Sequence, residues 1–207
     1  MRNLVFLILI LLCGCSKSNF KSKWINEESP EIFTARFETS KGSFDVQINR
    51  EWSPLAADRF YQLVKHRYLD QILFYRVVPD FVAQFGISDT IESNKWRTFI
   101  VPDERVIYGN KKGSISFARA GKDTRNTQLY INLRDNHFLD TLNLYGVKGF
   151  PAFGNVVRGM EVVEKIYSGY GDNTMKKLDT LYLNRSHFLS IYPKLDSINK
   201  AYLVKTH

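Results

Sequence analysis

Strict alternation between apolar and polar residues marks the start of the folded body of this chain. Apolar side chains occupy every second position from Phe33 to Phe37 and again from Phe44 to Ile48, with a Ser-Lys-Gly segment between the two runs. Successive side chains of a β-strand point to opposite faces of a sheet, so this period favours two strands that each bury one face. The glycine between them predicts an antiparallel hairpin.

Helical patterns are few in the rest of the sequence, and short strand-like runs are many. Ser53-Pro54 begins a predicted helix that continues to about His66, and Gly159 precedes a second one over residues 160–167. Further strands are predicted at 73–78, 81–86, 114–118, 129–132 and 152–157, with a helix at 185–191 and a strand at 201–204 near the end. Short strands punctuated by Gly and Pro favour a closed barrel or a sandwich over an α/β sheet.

Composition excludes several functional classes. The 207 residues are 44% hydrophobic and include two cysteines, Cys13 and Cys15, so the body can carry no disulfide framework, thiolate zinc site or iron-sulfur cluster. The net charge of +8 comes from scattered basic residues without a nucleic-acid-binding motif. We therefore expect a solvated basic surface and no nucleic acid, with binding to anionic lipid or nucleic acid as a weaker alternative.

Common catalytic motifs are also missing. The chain contains no Gly-x-Ser-x-Gly elbow, no phosphate-binding Walker loop and no His-Glu-x-x-His. Its four histidines lie far apart in sequence without the spacing of metal ligands. We expect neither a metal nor a cofactor.

The N-terminus has the pattern of an export signal. A positive start at Arg2 precedes the apolar run Leu4–Leu12, which is too short to span a bilayer of ~20 helical residues. The following Cys13-Gly14-Cys15 is similar to a bacterial lipobox, in which the cysteine is lipidated and becomes the mature N-terminus. An ordinary signal peptide with incidental cysteines is the alternative.

This pattern predicts three regions. Residues 1–14 are a lipoprotein signal peptide, residues 15–30 a tether lipidated at Cys15, and residues 31–207 the folded domain, with a C-terminal extension from about 172. We expect a protein of the bacterial cell envelope, anchored to the membrane by lipid. Because Ser16, and not aspartate, follows the cysteine, the outer membrane or the periplasmic face is favoured.

Three collinear segments carry the most specific pattern. They are FYRVVPDFVAQFG at 74–86, GSISFARAG at 113–121 followed by TQLYI at 127–131, and FLD at 138–140 followed by FGNVVRGM at 153–160. In order and spacing they resemble the signature segments of the cyclophilins, which are barrel-shaped peptidyl-prolyl cis-trans isomerases. The resemblance covers about residues 33–167.

The resemblance implies a mainly β fold: a closed antiparallel cyclophilin-like β-barrel of about eight strands with two or three α-helices. It implies an isomerase that acts on X-Pro segments of polypeptides, works without a cofactor, and is expected to be a monomer. Assistance to the folding of exported or envelope proteins is the expected role. A non-catalytic module that binds proline segments, or a chaperone of the envelope, is the competing hypothesis.

The same resemblance assigns the site residues. Arg76 takes the position of the catalytic guanidinium, with Phe81 and Gln84 beside it. A structural salt bridge is the other interpretation of Arg76, although an arginine inside an apolar strand needs a reason. The substrate-binding positions are Val82, Ala118, Arg119, Gln128, Tyr130, Phe138, Leu139 and Phe150. Phe138 stands where the family has tryptophan, and Phe150 where many members have histidine.

Overall fold

The computed structural model describes residues 20–204, in which eleven strands and five α-helices form. The strands are β1 (Ile32–Thr39), β2 (Gly42–Asn49), β3 (Ile72–Leu73), β4 (Arg76–Val78), β5 (Val82–Phe85), β6 (Ser114–Phe117), β7 (Leu129–Asn132), β8 (Asn143–Leu144), β9 (Val147–Lys148), β10 (Ala152–Arg158) and β11 (Ser197–Leu203). The α-helices are α1 (Pro54–Lys65), α2 (Ile91–Thr98), α3 (Met160–Glu164), α4 (Leu178–Leu183) and α5 (Arg185–Ile191). Short 3-10 helices lie at Ser22–Asn26, Arg50–Trp52, His137–Asp140 and Gly171–Lys177.

Nine of the strands form one antiparallel sheet in the order β3-β11-β1-β2-β10-β6-β7-β5-β4, which curls into a half-barrel. The predicted mainly β, antiparallel fold is confirmed, but the prediction of a closed barrel is wrong, and the sheet has nine strands against about eight predicted, with five α-helices against two or three. The ends of the sheet, β3 and β4, are joined only by Phe74 and Tyr75. The Phe74 N–H donates to the Asp196 carbonyl at 3.0 Å, which extends the pairing of β3 with β11, and β3 and β4 remain the two unpaired ends of this sheet.

The alternating segments form the predicted hairpin. β1 and β2 pair antiparallel with Phe37 opposite Phe44, and the two rings stack with centroids 4.8 Å apart. Gly42 closes the turn at a φ of 123°, which suits a residue without a side chain. One face of each strand is thereby buried in the core.

Helix α1 fills the concave side of the sheet. Pro54 occupies its first turn, and Phe60 and Leu63 are fully buried among the aromatic side chains of the strands. The Glu104 carboxylate accepts the backbone N–H groups of Leu55 and Ala56 at 2.9 and 3.2 Å, which satisfies donors that a helix start leaves free. The core therefore depends on a side chain from a distant loop.

Part of the predicted tether is folded. The predicted signal peptide at 1–14 and the predicted lipidation site Cys15 lie outside the described residues, but Phe20 already packs on Trp96 with ring centroids 4.9 Å apart. Trp24 is buried and stacks on His66 at 3.8 Å. The segment from Phe20 to residue 30 thus belongs to the domain, because its aromatic side chains bury apolar area against it. Within residues 20–204, no helix is long and apolar enough to cross a membrane.

The C-terminal extension forms a second hydrophobic cluster on the outside of the sheet edge. Phe188 and Leu181 pack there with Tyr75, which lies between β3 and β4. Strand β11 then pairs with both β1 and β3, so the last described strand completes the sheet. The extension is therefore held against the sheet close to β4.

Candidate active site

A mostly apolar pocket of about 530 Å³ lies where β4, β5, β6 and β7 meet the loops that follow them. Nine of the predicted site residues line it: Arg76, Phe81, Val82, Gln84, Ala118, Arg119, Tyr130, Leu139 and Phe150. Asp172 and Met175 complete the lining, from the 3-10 helix Gly171–Lys177. The structure thus brings together side chains from separate segments of the sequence.

Arg76 lies at the edge of this pocket and is fixed by the pairing of β4 with β5. The ladder places Arg76 directly opposite Gln84, and Arg76 Nη1 donates to Gln84 Oε1 at 3.1 Å. The guanidinium carbon lies 5.4 Å from the centroid of the Phe81 ring, a cation–π contact. Strand pairing therefore sets the positions of Arg76 and Gln84 relative to each other, and the contact with Phe81 adds a third side chain at this edge.

Arg76 also forms an ion pair, with a partner that the sequence did not identify. Its Nε donates to Asp172 Oδ1 at 2.6 Å, across 96 residues of chain. The Asp172 side chain is 65% exposed, whereas that of Arg76 is 21% exposed. The two interpretations of Arg76 are thus not exclusive, because this salt bridge lies within the pocket.

The apolar floor of the pocket is formed by Val82, Tyr130, Leu139 and Phe150. The rings of Tyr130 and Phe150 meet edge to face with centroids 6.3 Å apart. Burial raises the pKa of Tyr130 above its usual value, so its hydroxyl stays protonated and can donate a hydrogen bond. Such a surface suits a small apolar ring.

A buried asparagine holds this floor in place. Asn110 is fully buried, and its Oδ1 accepts from the Tyr130 hydroxyl at 2.9 Å. Its Nδ2 donates to the Phe150 carbonyl and to Asp140 Oδ1, both at 2.8 Å. Sequence analysis missed Asn110, because nothing in its local pattern distinguishes it from a loop asparagine.

Arg119 supports the wall of the pocket. Its guanidinium carbon lies 4.3 Å from the Phe150 ring centroid, and Nη2 donates to the Val147 carbonyl at 3.0 Å. Burial lowers the pKa of Arg119. Val147 belongs to the β8–β9 hairpin, so this hairpin holds the guanidinium against the pocket.

Two predicted substrate-binding residues lie outside the pocket lining. Gln128 accepts the Tyr75 hydroxyl at 2.7 Å and donates to the Tyr182 hydroxyl at 2.9 Å, so its amide is engaged by other parts of the protein. Phe138 is 50% exposed and stacks on Phe81 with ring centroids 5.9 Å apart. Local sequence could not show the arrangement of Gln128, because Tyr182 comes from the C-terminal extension.

A second cavity, about 560 Å³, lies between the N-terminal segment and α1 and contains none of the predicted site residues. The described residues include no cluster of three or more His, Cys, Asp or Glu that could hold a metal ion. The predicted site residues lie instead in the apolar pocket, which has a fixed guanidinium at its edge.

Comparison with known proteins places this pocket in a family. The family model for cyclophilin-type peptidyl-prolyl cis-trans isomerases matches residues 34–186, well over half of the chain. This chain belongs to that family. Its isomerase function and the predicted family are thereby confirmed.

Individual relatives agree with the assignment. A peptidyl-prolyl cis-trans isomerase of Acinetobacter baylyi is 30% identical over 130 residues, which cover 62% of this chain and 68% of the relative. One from Arabidopsis thaliana is 30% identical over 77% of this chain and 94% of its own length. The crystal structure of a Cryptosporidium parvum cyclophilin-type isomerase superposes with a TM-score of 0.57 at 18% identity, over 85% of this chain and 99% of that one, which shows the shared fold.

Proposed function

We propose that this isomerase twists X-Pro bonds by hydrogen-bonding from Arg76 to the prolyl nitrogen. Rotation about such a bond must overcome a barrier of ~18–20 kcal/mol, because the planar amide loses its resonance. The nitrogen lone pair is available as an acceptor only in the twisted state. A donor aimed at it therefore stabilises the transition state and leaves the planar ground state unaffected.

The observation that carries this proposal is the position of the guanidinium at the edge of the apolar pocket. A proline ring in contact with Phe81, Tyr130 and Phe150 would present its nitrogen to the rim where Arg76 lies. Gln84, which already accepts from Arg76, would orient the peptide backbone at the same edge. No covalent step is required.

The experiment is a comparison of two arginine variants in a peptide isomerisation assay. Losing one preorganised donor to a transition state costs about 10²–10³ in rate, so Arg76→Ala should lower kcat/KM by that factor. Arg158→Ala is the matched control, because Arg158 pairs with Asp45 at 2.7 Å and is not part of the pocket lining. Equal activity of Arg76→Ala and wild type would overturn the mechanism.

We further propose that the protein is a lipoprotein of the bacterial envelope, anchored through Cys15, with the signal at 1–14 removed. The support is the positive start, the apolar run and the Cys13-Gly14-Cys15 pattern. Since Phe20 packs on the domain, only residues 16–19 would separate the lipid from it. Four residues reach at most about 14 Å when extended, so the isomerase would work close to the membrane surface.

Mass spectrometry of the N-terminal peptide tests the anchor. Protein from its native host should begin with an acylated Cys15, and Cys15→Ala should move the protein out of the membrane fraction. An unmodified N-terminus at Met1 or Cys15 would contradict this proposal without affecting the catalytic one. If the protein is anchored as proposed, its substrates are X-Pro segments of exported proteins, whose uncatalysed isomerisation takes ~10–100 s.

A further inference from the structure

The C-terminal extension returns to the active site. Its 3-10 helix Gly171–Lys177 packs against β4, and Asp172 is the residue that meets Arg76. Met175 from the same helix joins the pocket lining. An element beyond the family's signature segments thus touches the catalytic arginine.

This helix is held firmly in place. Thr174 is fully buried, and the Asn173 carbonyl accepts the Tyr192 hydroxyl at 3.0 Å. Tyr192 also packs edge to face on Tyr170, which directly precedes the helix, with centroids 5.1 Å apart. The carboxylate of Asp172 is therefore presented from a fixed backbone and not from a free tail.

Two different nitrogens of the Arg76 guanidinium donate hydrogen bonds to the protein. Asp172 accepts from Nε at 2.6 Å, and Gln84 accepts from Nη1 at 3.1 Å. Neither hydrogen bond uses Nη2. Because a guanidinium is planar, two fixed points on its rim define its orientation, and the third nitrogen remains available as a donor.

We propose that Asp172 is a positioning residue that orients Arg76 for catalysis. This rests on the catalytic role proposed for Arg76. An arginine side chain has several rotatable bonds, and ordering it before substrate arrives removes that entropy from the catalytic step. The opposite role, in which the carboxylate competes with substrate for the guanidinium, would require Asp172 to occupy its donors, whereas Asp172 accepts from Nε and Gln84 from Nη1, so neither takes Nη2.

The test compares Asp172→Asn and Asp172→Ala with Asp179→Asn, which removes an exposed carboxylate elsewhere in the extension. Line-shape NMR on an X-Pro peptide gives kcat and KM separately. We expect kcat to fall about twofold to fivefold in both Asp172 variants, the factor typical of an ion pair that solvent screens, with KM little changed. Added salt should lower wild-type kcat toward that of Asp172→Asn, and leave the variant's own kcat unchanged.

A spectroscopic readout separates positioning from a merely structural role. The Arg76 Nε–H resonance, assigned by its loss in Arg76→Lys, should shift and exchange faster with water in Asp172→Asn, while the urea midpoint stays at the wild-type value. An unchanged kcat, or a higher one, would overturn the proposal. If Arg76→Ala loses activity and the Asp172 variants do not, only this inference fails; if Arg76→Ala stays active, the catalytic proposal itself fails.

Discussion

Replacing Asn110 by alanine should damage the domain more than any other single loss of a polar side chain near the pocket. The Tyr130 and Ser116 hydroxyls and the Phe150 carbonyl lose their contacts with the amide after this change, whereas the other partners of Asn110 keep further hydrogen bonds. A buried polar group left without a partner costs about 1–3 kcal/mol. Three such groups predict a loss of about 3–9 kcal/mol, a large fraction of the ~5–15 kcal/mol stability of a domain.

Urea unfolding followed by tryptophan fluorescence measures this loss as a shift in midpoint at constant slope. Asn155→Ala is the matched control, since its Nδ2 makes one hydrogen bond, to the Tyr108 hydroxyl at 3.1 Å, and should cost about 1 kcal/mol. The variant should also show a raised KM, because Asn110 holds both rings of the pocket floor. A destabilisation no larger than that of Asn155→Ala would refute this account of the network.

Two further predictions concern stability. Hydrogen bonds from Arg36, and secondarily from Arg158, lower the pKa of Asp45 to about 2, against ~3.9 in an unfolded chain. The stability that this lowered pKa adds is present above about pH 4 and is lost as the pH falls toward 2. The advantage of wild type over Asp45→Asn in urea unfolding should therefore shrink over that range. A difference that does not depend on pH would contradict this prediction. Gly86→Ala should cost more than ~2 kcal/mol in the same assay, because the backbone has a φ of 105° and a Cβ would collide with a backbone carbonyl oxygen. Gly146→Ala, with a φ of 83° and open space around it, isolates the backbone strain, and equal losses in the two variants would rule out the collision.

Local pattern predicted much of the fold, because the formation of a strand or helix depends mainly on residues that are close in the sequence. The alternation from Phe33 to Ile48 became β1 and β2, and Ser53-Pro54 preceded α1 as expected. The helix predicted at 160–167 ended earlier, at Glu164, and α2 was not predicted. Local pattern could not predict whether the sheet closes, because this depends on hydrogen bonds between distant residues, such as that of Phe74 to Asp196.

In the candidate site, too, some residues were predictable from local sequence and others were not. Arg76 and Gln84 lie in one hairpin, so their separation in sequence fixes their pairing in space. Asp172 and Tyr182 reach the site through the tertiary packing of the extension, and no short-range period ties position 172 to position 76. Gln128 was predicted to bind substrate, but its amide hydrogen-bonds to Tyr182 of α4, a partner that local sequence could not show.

The most direct test of the mechanism separates binding from catalysis at Arg76. NMR on a short X-Pro peptide measures both the dissociation constant and the cis/trans exchange rate with wild type and with Arg76→Ala. We predict that exchange on the variant falls by about 10²–10³ while the dissociation constant changes by less than about threefold, because the guanidinium interacts with the twisted state alone. Loss of binding in proportion to the loss of exchange, or no loss of exchange, would contradict the claim that Arg76 stabilises the transition state.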